Sequence, residues 1–97
     1  MSGVLEVATL KVYPGQEAAY EAAFRDASPI IASTKGYRRH ELRRCVEKPG
    51  KYLLLVEWDT LEDHTIGFRT SAAYQDWKRL LHPFYEPGPL VEHYESV

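Results

Sequence analysis

Residues 50–81, GKYLLLVEWDTLEDHTIGFRTSAAYQDWKRLL, decide the fold of this chain. They open with an unbroken apolar run over residues 52–56, which predicts a β-strand that has to be covered on both faces. A turn and two helical segments follow, and these carry histidine and aromatic side chains. Because a chain of 97 residues has few elements for such a cover, part of it is expected from outside the monomer.

The flanking sequence predicts three more strands and a long helix. Alternating or charged runs indicate strands over residues 4–13, 37–46 and 90–95 beside the apolar strand 51–59. A helix is predicted over residues 16–32, and two shorter ones over 61–68 and from Thr70 or Ser71 to about 81. Thr60 to Asp63 has the form of a capping box that starts the first short helix. All of these elements are assigned to one domain, residues 1–97.

The long helix has one clearly apolar face. Tyr20, Phe24, Ala27 and Ile31 are spaced i, i+4, i+7 and i+11, so they fall on one side of it. Pro29 is expected to kink this helix or to end it near Ser28, because proline lacks the N–H that the helix needs.

The order β-α-β-β-α-β predicts an α+β fold of the ferredoxin-like type, with a four-stranded antiparallel sheet in the order 4-1-3-2. The first and third strands are the apolar ones, which suits central positions. The second strand, YRRHELRR, is charged and suits an edge, where charge discourages aggregation.

The first strand is apolar on both of its faces. One face carries Val4, Ala8, Leu10 and Val12, and the other carries Leu5 and Val7. Helices can cover one face of the sheet, so the other face predicts a homodimer that packs sheet against sheet.

Charge and cysteine content narrow the class of protein. A net charge of -2 gives no reason to expect binding to nucleic acid or to an anionic membrane. Cys45 is the single cysteine, so no intrachain disulfide can form and a reducing compartment is expected. The absence of a signal-peptide pattern and of a long apolar run favours a cytoplasmic protein.

Two stretches together resemble the antibiotic biosynthesis monooxygenase family: VATLKVYPGQEAAYEAAF, and LLLVEWDTLEDHTIGFRTSAAYQDW after the hairpin. The resemblance implies a dimeric α+β barrel. Members of this family include quinol-forming oxygenases without metal or flavin and haem-degrading enzymes. The three haem-site positions of the second group fall on Ala8, Gly67 and Trp77, and none of these is the residue that haem degradation uses, so that activity is not expected.

His64 is the first candidate for a catalytic residue. On a regular helix it would share a face with Leu61 and Phe68, turned toward the sheet. A half-buried imidazole titrates near neutrality and can act as a general base on a phenol or enol. The alternative is a core histidine held by a backbone carbonyl or by a carboxylate such as Glu57.

His40 and Tyr74 are candidates to assist His64. His40 lies on the same side of its strand as Leu42, and it could pair across the hairpin with Glu57 or Trp58, because the register is open. The two remaining histidines, His82 and His93, are expected to be structural or to face solvent.

Trp58, Phe68 and Trp77 are predicted to form the walls of a site for a flat aromatic molecule, although aromatics at such spacing also build ordinary cores. The histidine spacing matches no local metal motif, and no phosphate-binding loop or dinucleotide fingerprint is present. No metal and no cofactor are therefore expected.

These observations favour an oxidoreductase, a cofactor-independent monooxygenase acting on a small electron-rich aromatic such as a quinol or polyphenol, with a histidine base. Two alternatives stay open. One is a non-enzymatic small-molecule-binding or stress-related protein of the same fold, and the other is an isomerase or decarboxylase acting on an enol.

Overall fold

The computed structural model describes residues 3–97 and contains the predicted elements in the predicted order. They are β1 (Val4–Lys11), α1 (Glu17–Ala32), β2 (Tyr37–Arg44), β3 (Lys51–Trp58), a short helix (Asp63–Phe68), α2 (Ala72–Leu81), a 3-10 turn (His82–Phe84) and β4 (Leu90–Tyr94).

The four strands form one open antiparallel sheet in the order β2-β3-β1-β4. This is the predicted ferredoxin-like order read from the other edge, so the α+β prediction is confirmed. The apolar strands β1 and β3 are central and pair from Val4 opposite Trp58 to Lys11 opposite Lys51. Charged β2 lies at one edge and short β4 at the other.

The helices α1 and α2 cover the same face of the sheet. The buried residues of α1 are Tyr20, Phe24, Ala27 and Ile31, the face that the spacing predicted. From the sheet, β3 buries every second side chain against the helices, which are those of Tyr52, Leu54, Val56 and Trp58. The core therefore lies between the helices and one face of the sheet.

The expectation that α1 ends near Ser28 is wrong, because α1 continues through Pro29 to Ala32, the boundary that the sequence predicted. Pro29 removes the N–H that would bind the carbonyl of Arg25, and the hydroxyl of Ser28 donates to that carbonyl instead, at 3.1 Å. A local side-chain hydrogen bond thus compensates in part for the missing backbone bond.

The other face of the sheet has an apolar centre. Val7 of β1 lies opposite Leu55 of β3, and Thr9 lies opposite Leu53. On the edge strand β4, Leu90 and Tyr94 are 59% and 51% exposed. These apolar side chains support the expectation that a second copy covers this face, and the dimer stays a prediction.

Gly36 fixes the position of the chain that follows β3. Its φ of +85° is in the left-handed region, and a Cβ at this position would overlap the carboxylate of Asp63. The Gly36 carbonyl accepts a hydrogen bond from Asp59 N at 2.7 Å, and the Thr60 hydroxyl accepts one from Asp63 N at 3.1 Å. This packing sets where the short helix begins and therefore where His64 points.

Candidate functional site

A cluster of polar side chains lies where the short helix meets the sheet. Glu6 of β1 and His64 of the short helix are 5% and 4% exposed, and they are the two buried polar or charged residues within residues 3–97. His93 of the edge strand β4 lies opposite Glu6 in the strand register. Trp58, at the end of β3, completes the cluster.

Two hydrogen bonds and one longer contact link these four side chains. Trp58 Nε1 donates to Glu6 Oε1 at 3.0 Å. His64 Nδ1 lies 2.8 Å from His93 Nε2, so one ring donates to the other. His64 Nε2 lies 3.4 Å from Glu6 Oε1, slightly longer than a well-formed hydrogen bond. The indole of Trp58 stacks on the His64 ring, with the planes 18° apart and the centroids 5.3 Å apart.

Burial changes the acidity of both buried groups. It raises the pKa of the Glu6 carboxyl to about 7, although the Trp58 hydrogen bond and the charge of Arg69 act in the opposite direction. Burial, with the charges of Arg69 and His93, lowers the pKa of His64 to about 3. Near neutral pH His64 is therefore an uncharged imidazole, and its contact with Glu6 is not an ion pair. Glu6 is the group of the two that titrates near neutrality.

A small cavity of about 60 Å³ opens beside this cluster. Its lining includes Glu6, His64, Tyr20, Tyr74, Trp77 and His82. The hydroxyl of Tyr20 is the one buried side-chain polar atom in the described part of the chain that has no hydrogen-bond partner. Because an unpaired buried hydroxyl is costly, a molecule in the cavity that accepts this hydrogen bond would be stabilised.

A larger groove, of about 360 Å³, lies elsewhere, between the start of β1 and the end of β4. Its lining includes Arg38, Glu57 and Tyr94, which are not fully buried. It lacks a buried ionisable group, so the smaller cavity is the better candidate for chemistry.

His64 is buried beside a carboxylate, but the carboxylate is Glu6. Glu57, the expected partner, lies on the opposite face of the sheet and accepts a hydrogen bond from Arg39. Leu61, expected on the same face as His64, is 39% exposed. The short helix is wider than an α-helix, with Arg69 N bonded to His64 O five residues earlier, so the i-3 alignment is lost.

His40 has neither of its expected partners. In the register of β2 and β3 it lies opposite Val56, and its Nδ1 is 2.6 Å from the hydroxyl of Tyr37. Its ring packs edge-on against Phe24, with centroids 5.6 Å apart. Burial lowers its pKa. His40 thus belongs to a second pair on the helix-covered face, nearer the β2 edge.

The predicted aromatic walls form a continuous group around Phe68. Its ring centroid lies 5.3 Å from that of Tyr74, 5.9 Å from Trp77 and 6.0 Å from Trp58. Phe68, Tyr74 and Trp77 line the cavity. Trp58 is completely buried behind His64, where it binds Glu6.

Two members of the cluster, Glu6 and His93, were absent from the predicted site. Glu6 has a sequence signal: it is the acidic residue at an inward position of β1, where Ala8, Leu10 and Val12 are apolar. His93 was expected to be structural or to face solvent, and it is half-buried and bonded to His64. Its role depends on the register of β4, which the sequence leaves open.

Within residues 3–97, no three histidine, cysteine or acidic side chains are arranged so that they could hold a metal ion. In the same residues, no helix has the length and apolar character that crossing a membrane requires.

The comparisons with known proteins agree with one another. The sequence profile of the family described as antibiotic biosynthesis monooxygenase matches residues 3–80. The uncharacterized protein YczJ of Bacillus subtilis (strain 168) is 57% identical over 94 residues, which cover 97% of this chain and 99% of YczJ.

Solved structures resemble the whole chain. A Bordetella bronchiseptica protein assigned to the antibiotic biosynthesis monooxygenases has a TM-score of 0.96 at 34% identity, covering 100% of this chain and 99% of its own. SnoaB, a cofactor-independent oxygenase from Streptomyces nogalater, has a TM-score of 0.77 at 20% identity, covering 100% of this chain and 93% of SnoaB. At that identity the likeness to SnoaB shows a shared fold.

Proposed function

The chain belongs to the antibiotic biosynthesis monooxygenase family, and on that premise we propose that it is a cofactor-independent monooxygenase acting on a small electron-rich aromatic molecule. The observation that carries this proposal is the buried Glu6–His64 pair at the wall of an aromatic cavity. An enzyme that uses O₂ without a cofactor needs a base to make the substrate anion in a dry site, and this pair supplies a base in such a place.

The proposed reaction begins with removal of a proton from a phenol or enol of the substrate. The Glu6–His64 pair takes this proton. Tyr74, at the cavity wall, and Tyr20, with its unpaired hydroxyl, are the proposed partners of the substrate oxygens. His40 lies outside this cavity and packs on Phe24, which packs on Trp77, so its assigned assisting role is to position these aromatic side chains.

The substrate anion then reduces O₂ directly, so the substrate supplies all the electrons. With an anthrone-type substrate a ring methylene becomes a carbonyl, one oxygen atom enters the product and the other leaves as water. This balances as a four-electron oxidation of the substrate and a four-electron reduction of O₂. The protein provides orientation, a base and exclusion of bulk water. Phe68 and Trp77 are the proposed walls for the ring system, with Trp58 behind them.

Binding of such a ring requires that the cavity enlarge. Its present volume of about 60 Å³ holds O₂ or water, whereas sites for ring-sized ligands reach roughly 300 Å³ or more. The half-buried side chains of Tyr74 and His82 are the proposed moving part of its wall.

The working form is proposed to be a cytoplasmic homodimer. The apolar centre of the open sheet face, where Val7 lies beside Leu55, supports packing against a second copy. Such packing would leave the helix-covered cavities on the outer sides of the dimer.

Oxygen uptake tests the proposed function. Metal-stripped protein without added cofactor is incubated with quinols, anthrones and polyphenols, alongside His64→Ala, Glu6→Gln and Glu62→Gln. Uptake is expected with the parent protein and with Glu62→Gln, whose side chain is exposed, and a loss of at least 100-fold is expected in the other two. Full turnover by a folded His64→Ala protein would refute the assignment of the base.

A small-molecule-binding protein is the second candidate, and one observation favours it. Both ring nitrogens of His64 already have neighbours within the protein, His93 and Glu6. Saturable quenching of tryptophan fluorescence by an aromatic ligand, with no oxygen uptake and no loss of the ligand, would support this reading. Loss of the ligand without oxygen uptake would instead indicate isomerase or decarboxylase chemistry.

A further inference from the structure

Three ionisable side chains lie in a row from the cavity to the edge of the sheet. Glu6 and His64 both line the cavity, and His93, which contacts His64, lies on the edge strand β4. The separations are 3.4 Å from Glu6 Oε1 to His64 Nε2 and 2.8 Å from His64 Nδ1 to His93 Nε2. Burial decreases along the row, because Glu6 and His64 are buried and His93 is half-buried.

The row uses both nitrogens of the His64 ring. A neutral imidazole donates from one nitrogen and accepts at the other, so it can receive a proton on one side while it releases one on the other. The longer contact, to Glu6, is not a hydrogen bond as it stands, and it has to shorten by a few tenths of an ångström and align for transfer, which ordinary side-chain fluctuations allow in the ligand-free protein.

Neither histidine is suited to keep an added proton. Burial and Arg69 lower the pKa of both His64 and His93, so a cation on either ring is unfavourable. Arg69 lowers the pKa of Glu6, Tyr85 lies near it, and Trp58 binds its Oε1. Glu6 is the member of the row that can hold the proton.

We propose that Glu6, His64 and His93 form a proton path in which Glu6 holds the substrate proton and the two histidines carry it to solvent at β4. The role in turnover rests on the proposed function, whereas the path itself is a property of the folded protein.

The path balances by a change of tautomer in each ring. With Glu6 ionised, His64 carries its proton on Nε2 and His93 carries its proton on Nε2. With Glu6 protonated, both rings carry the proton on Nδ1. On release, Glu6 gives its proton to His64 Nε2, His64 Nδ1 gives one to His93 Nε2, and His93 Nδ1 gives one to solvent.

NMR of the ligand-free protein tests the path without any substrate. The side-chain carboxyl ¹³C of Glu6 and the ring ¹⁵N signals of the histidines are followed across pH. The path predicts that His64 and His93 both exchange tautomers at the pH where Glu6 titrates. His40, bonded to Tyr37 outside the row, is the internal control and should show no change at that pH.

Glu6→Gln completes the test, because it keeps an oxygen for the Trp58 hydrogen bond and removes the acid. The shared transition should disappear from both rings in this variant. Rings that keep their transitions in Glu6→Gln, or tautomers that stay fixed while Glu6 titrates in the parent protein, would overturn the proposal. The second criterion needs no variant, so it holds even if Glu6→Gln fails to fold.

Turnover supplies a separate readout once a substrate is found. His93→Leu should lower the rate at least 10-fold in dilute buffer, and imidazole buffer should restore it by carrying the proton from His64. Coupled tautomer exchange without oxygen uptake from any substrate would contradict the proposed function and support the path. Oxygen uptake that requires His64, together with tautomers that stay fixed, would support the proposed function and overturn the path.

Discussion

Glu6 occupies an inward position of β1 that its neighbours Ala8 and Leu10 fill with apolar side chains. A buried carboxyl is costly unless it is neutral or well bonded. Its single strong hydrogen bond comes from Trp58, and His64 lies within reach of the same oxygen. The buried carboxyl therefore lowers the stability of the folded state, and its raised pKa is of the kind that clusters at functional sites.

Glu6→Gln is predicted to stabilise the protein at alkaline pH. Burial raises the pKa of Glu6 from 4.5 to about 7, so the folded state retains a proton that the unfolded state has released between these values. The stability of the parent protein therefore falls as the pH rises through this window, and glutamine removes that loss. The gain at pH 8 should be on the order of 1–3 kcal/mol.

Urea unfolding at fixed protein concentration, at several pH values from 5 to 8, measures this difference. The lowered pKa of His64 makes the free energy of unfolding rise with pH below pH 6.5. Both proteins share this effect, so it cancels in the difference between them. A gain that does not shrink toward pH 5, or no gain at pH 8, would contradict the assignment of Glu6.

Tyr20→Phe is predicted to leave the ligand-free protein as stable as the parent or more stable by about 1 kcal/mol, because the hydroxyl it removes has no partner. Tyr52→Phe is the matched control. Its ring lies 5.2 Å from that of Tyr20, but its hydroxyl donates to Glu21, so its loss should cost about 1–2 kcal/mol. Thermal unfolding compares the stabilities of the two variants. An equal loss of stability in both would mean that the Tyr20 hydroxyl has a hydrogen-bond partner in solution.

At the scale of elements, the short helix Asp63–Phe68 connects the sheet to the site. Gly36 and Thr60 fix its start, and Ser71 begins α2 directly after it by accepting a hydrogen bond from Tyr74 N at 3.1 Å. Between these fixed points the backbone makes a wider turn, which brings both His64 and Phe68 inward. Wide turns of this kind occur often at functional sites.

Gly36→Ala is predicted to destabilise the protein by more than Gly15→Ala. Both glycines have a positive φ, so alanine is strained at either position. At Gly15 the added methyl meets open space, whereas at Gly36 it overlaps Asp63 and pushes the short helix away. Gly36→Ala should lower the free energy of unfolding by about 1–2 kcal/mol more than Gly15→Ala does, as measured by urea unfolding. Equal losses would show that Gly36 does not position the helix.

The sequence predicted the elements better than it predicted the site. The order of the elements predicted the sheet order, with strand polarity in support, and the spacing of Tyr20, Phe24, Ala27 and Ile31 predicted the buried face of α1. The partners of His40 and His93 depend on strand register, because a slip of one residue moves each side chain to the opposite face of the sheet. The i, i+4 spacing of His64 and Phe68 predicted their inward direction, whereas the exposure of Leu61 depends on a wider helix that local periodicity does not encode.

At the scale of the whole molecule, the helices cover one face of the sheet and leave the other to solvent or to a partner. The exposed face has apolar side chains at its centre and the ion pairs of β2 at one side, Arg39 with Glu57 and Arg43 with Glu41. An apolar centre with a charged rim is typical of an interface between proteins.

Leu55→Arg is predicted to convert a dimer into a monomer, because it places a charge at the centre of this face beside Val7. Val46→Arg is the matched control, since Val46 is 91% exposed after β2. Sedimentation equilibrium at micromolar concentration should give a dimer for the parent protein and for Val46→Arg. A monomeric parent protein would refute the predicted assembly.

The most direct test of the central claim is mass spectrometry of the product formed under ¹⁸O₂ by metal-stripped protein without added cofactor. A cofactor-independent monooxygenase with the Glu6–His64 base should give a product carrying one ¹⁸O atom, with the second atom in water, and this product should be lost in Glu6→Gln and His64→Ala. A product that forms without ¹⁸O, or that takes its oxygen from labelled water, would contradict the claim.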